Sequence, residues 1–132
     1  MSSIVKPETY SIEFLNVRLF FVAKEENMAY VKKFYNQIKG SESFDMQPFI
    51  YIALKSHIYM AIFYNNEKDS LKGQEDKKIL KEHGLLISID EYMEALCFSE
   101  EGRREVKKVY PQLTDQDFEK IVNKSVWNER LI

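Results

Sequence analysis

Residues 49–64 read FIYIALKSHIYMAIFY, the longest run of large apolar residues in the chain, broken only by Lys55, Ser56 and His57. Taken in steps of two, Ile50, Ile52, Leu54, Ile58, Met60 and Ile62 form an aliphatic set. The alternate positions, with Phe49, Tyr51, Tyr59 and Phe63 beside Lys55 and His57, form an aromatic set with polar tips. That split suits a pleated sheet with one face in a core and the other partly covered. The abundance of Ile, Tyr and Phe also favours strand. As one strand the run would extend about 50 Å, too far for a domain whose radius of gyration is about 14 Å. Two readings remain. The preferred one is a β-hairpin turning near residues 55–57, although the bend lacks the glycine or Asn-Gly of the tightest turns. The rival is one buried helix of roughly 24 Å, begun by Pro48 in a first turn behind Asp45.

Working outward, residues 1–9 read as a polar lead-in, and Leu15, Val17, Leu19, Phe21 and Ala23 alternate as a strand. Glu25 and Glu26 open a helix whose inward residues are Met28, Val31, Phe34 (or Tyr35) and Ile38, with Gly40 closing it. After the central stretch, residues 65–73, NNEKDSLKG, are expected to be an exposed loop. A short helix ends at Gly84. Ser88 and Glu91 have the spacing of a capping box, in which each side chain satisfies a backbone amide near the other. Ser99 caps a further helix that stops before Pro111, and Thr114 begins the last, with Phe118, Ile121, Val122, Ser125 and Val126 on its apolar side. The expected fold is α+β: strand, helix, β-hairpin in a small antiparallel or mixed sheet, then about four short helices. If the central stretch is helical, the alternative is an all-α bundle of six or seven helices with residues 46–66 as the buried central one.

Composition narrows the function. The 132 residues suit a single globular domain with its own core. Charged residues at 30% and hydrophobic ones at 45% argue against disorder. Up to Gly84 the chain carries 12 basic and 11 acidic side chains, and beyond it 7 and 10, so neither part has the basic excess that phosphate backbones reward. Cys97 is the only cysteine, which excludes an internal disulfide and points to a reducing, cytoplasmic setting. The opening MSSIVKPETY lacks the charged start and apolar run of a signal peptide, and no uninterrupted apolar run of about 18 residues occurs, so no membrane role is expected.

The motif inventory is largely negative. Four glycines, at 40, 73, 84 and 102, cannot spell either common phosphate-binding loop. Two histidines and one cysteine make no zinc signature, and the local acidic groups read as helix caps, so no metal and no cofactor is expected. Cys97, between Leu96 and Phe98, reads as a small core residue. Ser56 and His57 are neighbours and would point to opposite faces of a strand, so no catalytic residues are assigned.

Three functional readings follow. The first is a non-enzymatic protein–protein interaction module (a regulator, adaptor, or immunity or anti-defence inhibitor). Its contact residues would be the aromatic face Tyr51, His57, Tyr59 and Phe63, the basic helix residues Arg103, Arg104, Lys107 and Lys108, and Trp127 if it is a surface anchor and not a lid over the core. A homodimer through an open strand edge is compatible with this reading. The second is a small enzyme or ligand binder using His57 in an aromatic pocket. The third is nucleic-acid binding through the basic helix, which the interleaved Glu100, Glu101 and Glu105 disfavour.

Overall fold

The computed structural model describes residues 6–14, 17–40, 47–64 and 70–131. Among these, three strands form one antiparallel sheet in the order β1 (Pro7–Phe14), β2 (Val17–Lys24), β3 (Tyr59–Tyr64). Seven helices follow their chain order around it: α1 (Glu25–Ile38), α2 (Gln47–Ser56), α3 (Ser70–Glu82), α4 (Ile89–Leu96), α5 (Glu100–Val109), α6 (Asp115–Asn123) and α7 (Trp127–Arg130). The expected α+β class holds.

The hairpin lies elsewhere than expected. Residues 49–64 are half helix and half strand, joined at His57 with φ of 51°. The Ile58 N–H donates to the Ala53 carbonyl at 3.1 Å, the bond by which a left-handed residue closes a helix end. Glycine normally fills that position, and its absence made the break hard to see. The aliphatic set survives in the strand half, where Ile58, Met60 and Ile62 are buried on one side. In the helix half, Phe49, Ile50 and Ala53 turn inward while Tyr51 and Leu54 face solvent.

The actual hairpin is β1–β2, with Phe14 opposite Val17 and Pro7 opposite Lys24. Residues 7–9 therefore belong to a strand and not to a polar lead-in. Their polar side chains misled because Thr9 and Ser11 lie on a face whose buried partner, the Tyr92 hydroxyl, is itself polar. Burial raises the pKa of that phenol, while the polar side chains of Thr9 and Ser11 beside it pull it back. Of the expected loop at 65–73, residues 70–73 belong to α3, and residues 65–69 lie outside the described set.

Both sheet faces are covered. On one, Leu19, Phe21, Met60 and Ile62 pack with Met28, Val31 and Phe34 of α1, Phe49 and Ala53 of α2, and Leu80 of α3. Phe49 is central here, its ring centroid 5.4 Å from Phe21 and 5.0 Å from Phe34. On the other, Val22 and Ala61 pack with Tyr92 and Ala95 of α4 and with Trp127 and Leu131. The β3 edge is extended by residues 85–87, where Met60 donates to Leu85 at 2.9 Å and accepts from Ile87 at 3.0 Å. Gly84, with φ of 71°, turns the chain into that segment after α3. A third cluster, Cys97, Val106 and Phe118, joins α4, α5 and α6 away from the sheet.

Candidate protein-binding site

The helix caps expected from the sequence are present, and they set the three helices that build the site. Ser88 and Glu91 form the capping box of α4, and Thr114 and Asp117 that of α6. The Thr114 backbone N–H, then its hydroxyl, hold the Asp117 carboxyl below its ordinary pKa. The Ser99 hydroxyl accepts from the Gly102 N–H at 3.0 Å and starts α5.

Gly102 sets how closely α5 approaches α4. A methyl group there would lie 1.8 Å from the Leu96 carbonyl oxygen, so the two backbones meet with no room for a side chain. Arg103 fastens the same junction. Its Nε donates to the Cys97 carbonyl at 2.7 Å, its terminal nitrogen pairs with Glu119 of α6 at 3.1 Å, and the guanidinium lies over the Phe118 ring.

The three helices leave a groove of about 530 Å³ between them, open to solvent and lined mainly by apolar surface, with four charged side chains among its lining residues. The two faces of α4 explain it. Tyr92 and Ala95 point to the sheet, whereas Met93 and Cys97 face the groove, with Asp90 and Glu94 on the same side. Opposite stand Val106 and Tyr110 from α5 and its exit, Leu113 from the link, and Ile121 from α6, flanked by Lys120 and Lys124. A volume of this size is typical of recognition pockets. The Cys97 thiol donates to the Met93 carbonyl at 3.3 Å and is buried. Burial raises its pKa, and the positive charge of Arg103 only partly offsets that. Thiolate is the reactive form, so Cys97 is expected to resist maleimide at pH 7 in the folded protein and to react freely in denaturant. Rapid stoichiometric labelling of the native chain would contradict this placement.

The residues singled out from the sequence do not form one surface. Tyr51 is 77% exposed on α2, and His57 is exposed at the helix–strand joint. Tyr59 and Phe63 share a face of β3. Tyr59 stacks edge-on against Trp127 at 5.2 Å, and Phe63 lies 5.6 Å from Phe20 and is 40% exposed. Trp127 is not a surface anchor. It is fully enclosed, and its Nε1 donates to the Glu91 carbonyl at 2.7 Å. The basic helix is divided as well. Arg103 is a structural fastener, Lys107 lies over Phe118, Lys108 pairs with Glu105 at 3.0 Å, and Arg104 faces solvent.

The groove residues Met93, Tyr110, Leu113 and Ile121 were not recognised as a site from the sequence. Their one legible trace is that α4 carries apolar residues on two sides, Tyr92 and Ala95 on one and Met93 and Cys97 on the other, more than a single core contact requires. Among the described residues no cluster of His, Cys, Asp or Glu is arranged to hold a metal, and no helix is long and apolar enough to cross a membrane. Comparison of the chain with protein-family models, with curated proteins and with solved structures finds no match.

Proposed function

We propose that the protein is a non-enzymatic interaction module that acts in a reducing, cytoplasmic setting by docking another protein in the α4–α5–α6 groove. The observation that carries this reading is an open groove of about 530 Å³, lined mainly by apolar surface, that no described residue fills. Apolar surface left accessible in a concave site is the usual mark of a binding function. Tyr110 stands on its rim, and tyrosine supplies much contact area at low entropic cost. The ligand-binding alternative loses its focus, because exposed His57 is not among the groove residues.

The test is capture of partners from the native source by three forms of the protein. The wild type and Tyr51→Ala, on α2, are expected to retain the same partner protein. The double variant Tyr110→Ala/Leu113→Ala is expected to bind it at least tenfold more weakly, the loss that follows when a tyrosine and its apolar neighbour are hot spots of the contact. Retention by the double variant together with loss in Tyr51→Ala would move the contact surface to α2 and remove the groove from consideration.

A further inference from the structure

The groove is lined by charge of both signs, acidic from α4 and basic from α6. On α4, Asp90 and Glu94 stand one helical turn apart, and on the α6 side Lys120 and Lys124 do the same, with the apolar residues between. Some of this charge has local work. One Glu94 oxygen accepts from the Val126 N–H at 3.2 Å, and Lys120 attracts Asp117 on its own helix. Beyond that, among the described residues none of the four takes part in an ion pair. Unpaired charges bordering an apolar groove favour an occupant that supplies the missing signs.

The walls also restrict the occupant's backbone. They are three helices whose main-chain groups are largely used internally, and they offer an extended peptide no sheet edge to pair with. An extended segment would bury N–H and C=O groups without partners, whereas a helix satisfies its own. A small apolar acid would match the lysines but leave Asp90 and Glu94 facing it with like charge. A second copy of the chain fits poorly too. The described helix that exposes two large apolar residues a turn apart is α2, with Tyr51 and Leu54, and its only charge is Lys55.

We propose that the groove receives an amphipathic helix of a partner protein, its apolar stripe against Met93, Leu113 and Ile121, a basic flank facing Asp90 and Glu94, and an acidic flank facing Lys120 and Lys124. This rests on the reading of the groove as the protein-binding surface. The α4 wall spans eight residues, roughly 12 Å, and so covers about two turns of a bound helix. The stripe would be read at positions i, i+3 or i+4, and i+7.

Three fluorescein-labelled 18-residue peptides with one shared leucine stripe test this by anisotropy against the full chain. One has a lysine flank and a glutamate flank, one has lysine on both, and one has glutamate on both. The two-signed peptide is expected to bind at least tenfold more tightly than either other at low salt, with the margin shrinking as salt rises. In Lys120→Glu/Lys124→Glu both walls become acidic, so preference should pass to the all-lysine peptide; melting temperature is followed alongside to confirm that the fold is kept. Equal affinities, absence of binding, or an unchanged ranking in the double variant would overturn the proposal. So would self-association of the protein that Lys120→Glu/Lys124→Glu abolishes. If no peptide binds while the native partner is still lost in Tyr110→Ala/Leu113→Ala, the helical occupant falls and the groove reading stands. If that variant keeps its partner, the groove reading falls as well.

Discussion

Gly102→Ala is expected to destabilise the protein by about 3 kcal/mol, at the upper end of what overpacking a well-filled site costs. The added methyl would lie 1.8 Å from the Leu96 carbonyl oxygen and within 2.8 Å of two further backbone atoms of the same residue. No rotamer change relieves a clash between two main chains, so α5 must move by more than an ångström or α4 must unwind at its end. Either movement strains contacts that meet there: the Ser99 cap on Gly102, the Arg103 bond to the Cys97 carbonyl, and the packing of Val106 on Cys97. In thermal unfolding this corresponds to a fall of roughly 10 °C for a chain of this size. Gly40→Ala is the control, because its added carbon meets nothing within 4 Å and its φ is not positive. That variant should be neutral or slightly more stable through a less flexible unfolded chain. A Gly102→Ala protein as stable as Gly40→Ala would show that α4 and α5 do not meet as described. The groove between them would then lose its geometric basis.

What could be read from the sequence, and what could not, divides along the range of the interactions involved. The three caps are legible because each is settled within four residues: Ser88 with Glu91, Ser99 with Gly102, Thr114 with Asp117. The inward face of α1 is legible because Met28, Val31 and Phe34 repeat at helical spacing. β1 is not, since its polar residues Thr9 and Ser11 make sense only beside Tyr92, some eighty residues away in sequence. The split of residues 49–64 fails for another reason. Apolar runs of this length suit helix and strand alike, and the break rests on a histidine in a conformation usually left to glycine. The groove was the least legible feature. Its walls come from three helices, and its width depends on one close backbone approach that Gly102 permits, while in the sequence Gly102 is merely a glycine near a helix start.

Trp127→Ala is expected to cost about 3–5 kcal/mol, the range for emptying a buried aromatic site, which is a large share of the roughly 5–15 kcal/mol by which folded domains are ordinarily stable. Trp127 is fully enclosed beneath the sheet face formed by Val22 and Ala61, with Tyr59 edge-on and Arg130 over its ring. Its indole N–H holds the Glu91 carbonyl, and Arg130 pairs with the Glu91 carboxylate, so two groups near the C-terminal end of the chain grip the first turns of α4. Trp127→Phe separates packing from hydrogen bonding. It keeps most of the apolar bulk and loses the indole donor, for an expected cost of about 1–2 kcal/mol. Urea denaturation followed by far-UV circular dichroism measures both, since the chain has one tryptophan and the variants have no indole fluorescence. A loss below about 1 kcal/mol in Trp127→Ala would contradict the enclosed placement. The consequence reaches the groove, because α4 is held to the sheet by Tyr92, Ala95 and Trp127 on one side while it offers Met93 and Cys97 on the other. Loosening the first face moves the second. Trp127→Ala should therefore weaken partner binding in step with stability, whereas Tyr110→Ala/Leu113→Ala should weaken binding by much more than the modest stability lost with the partly buried Leu113. The two variants together distinguish a residue that shapes the binding surface from residues that form it.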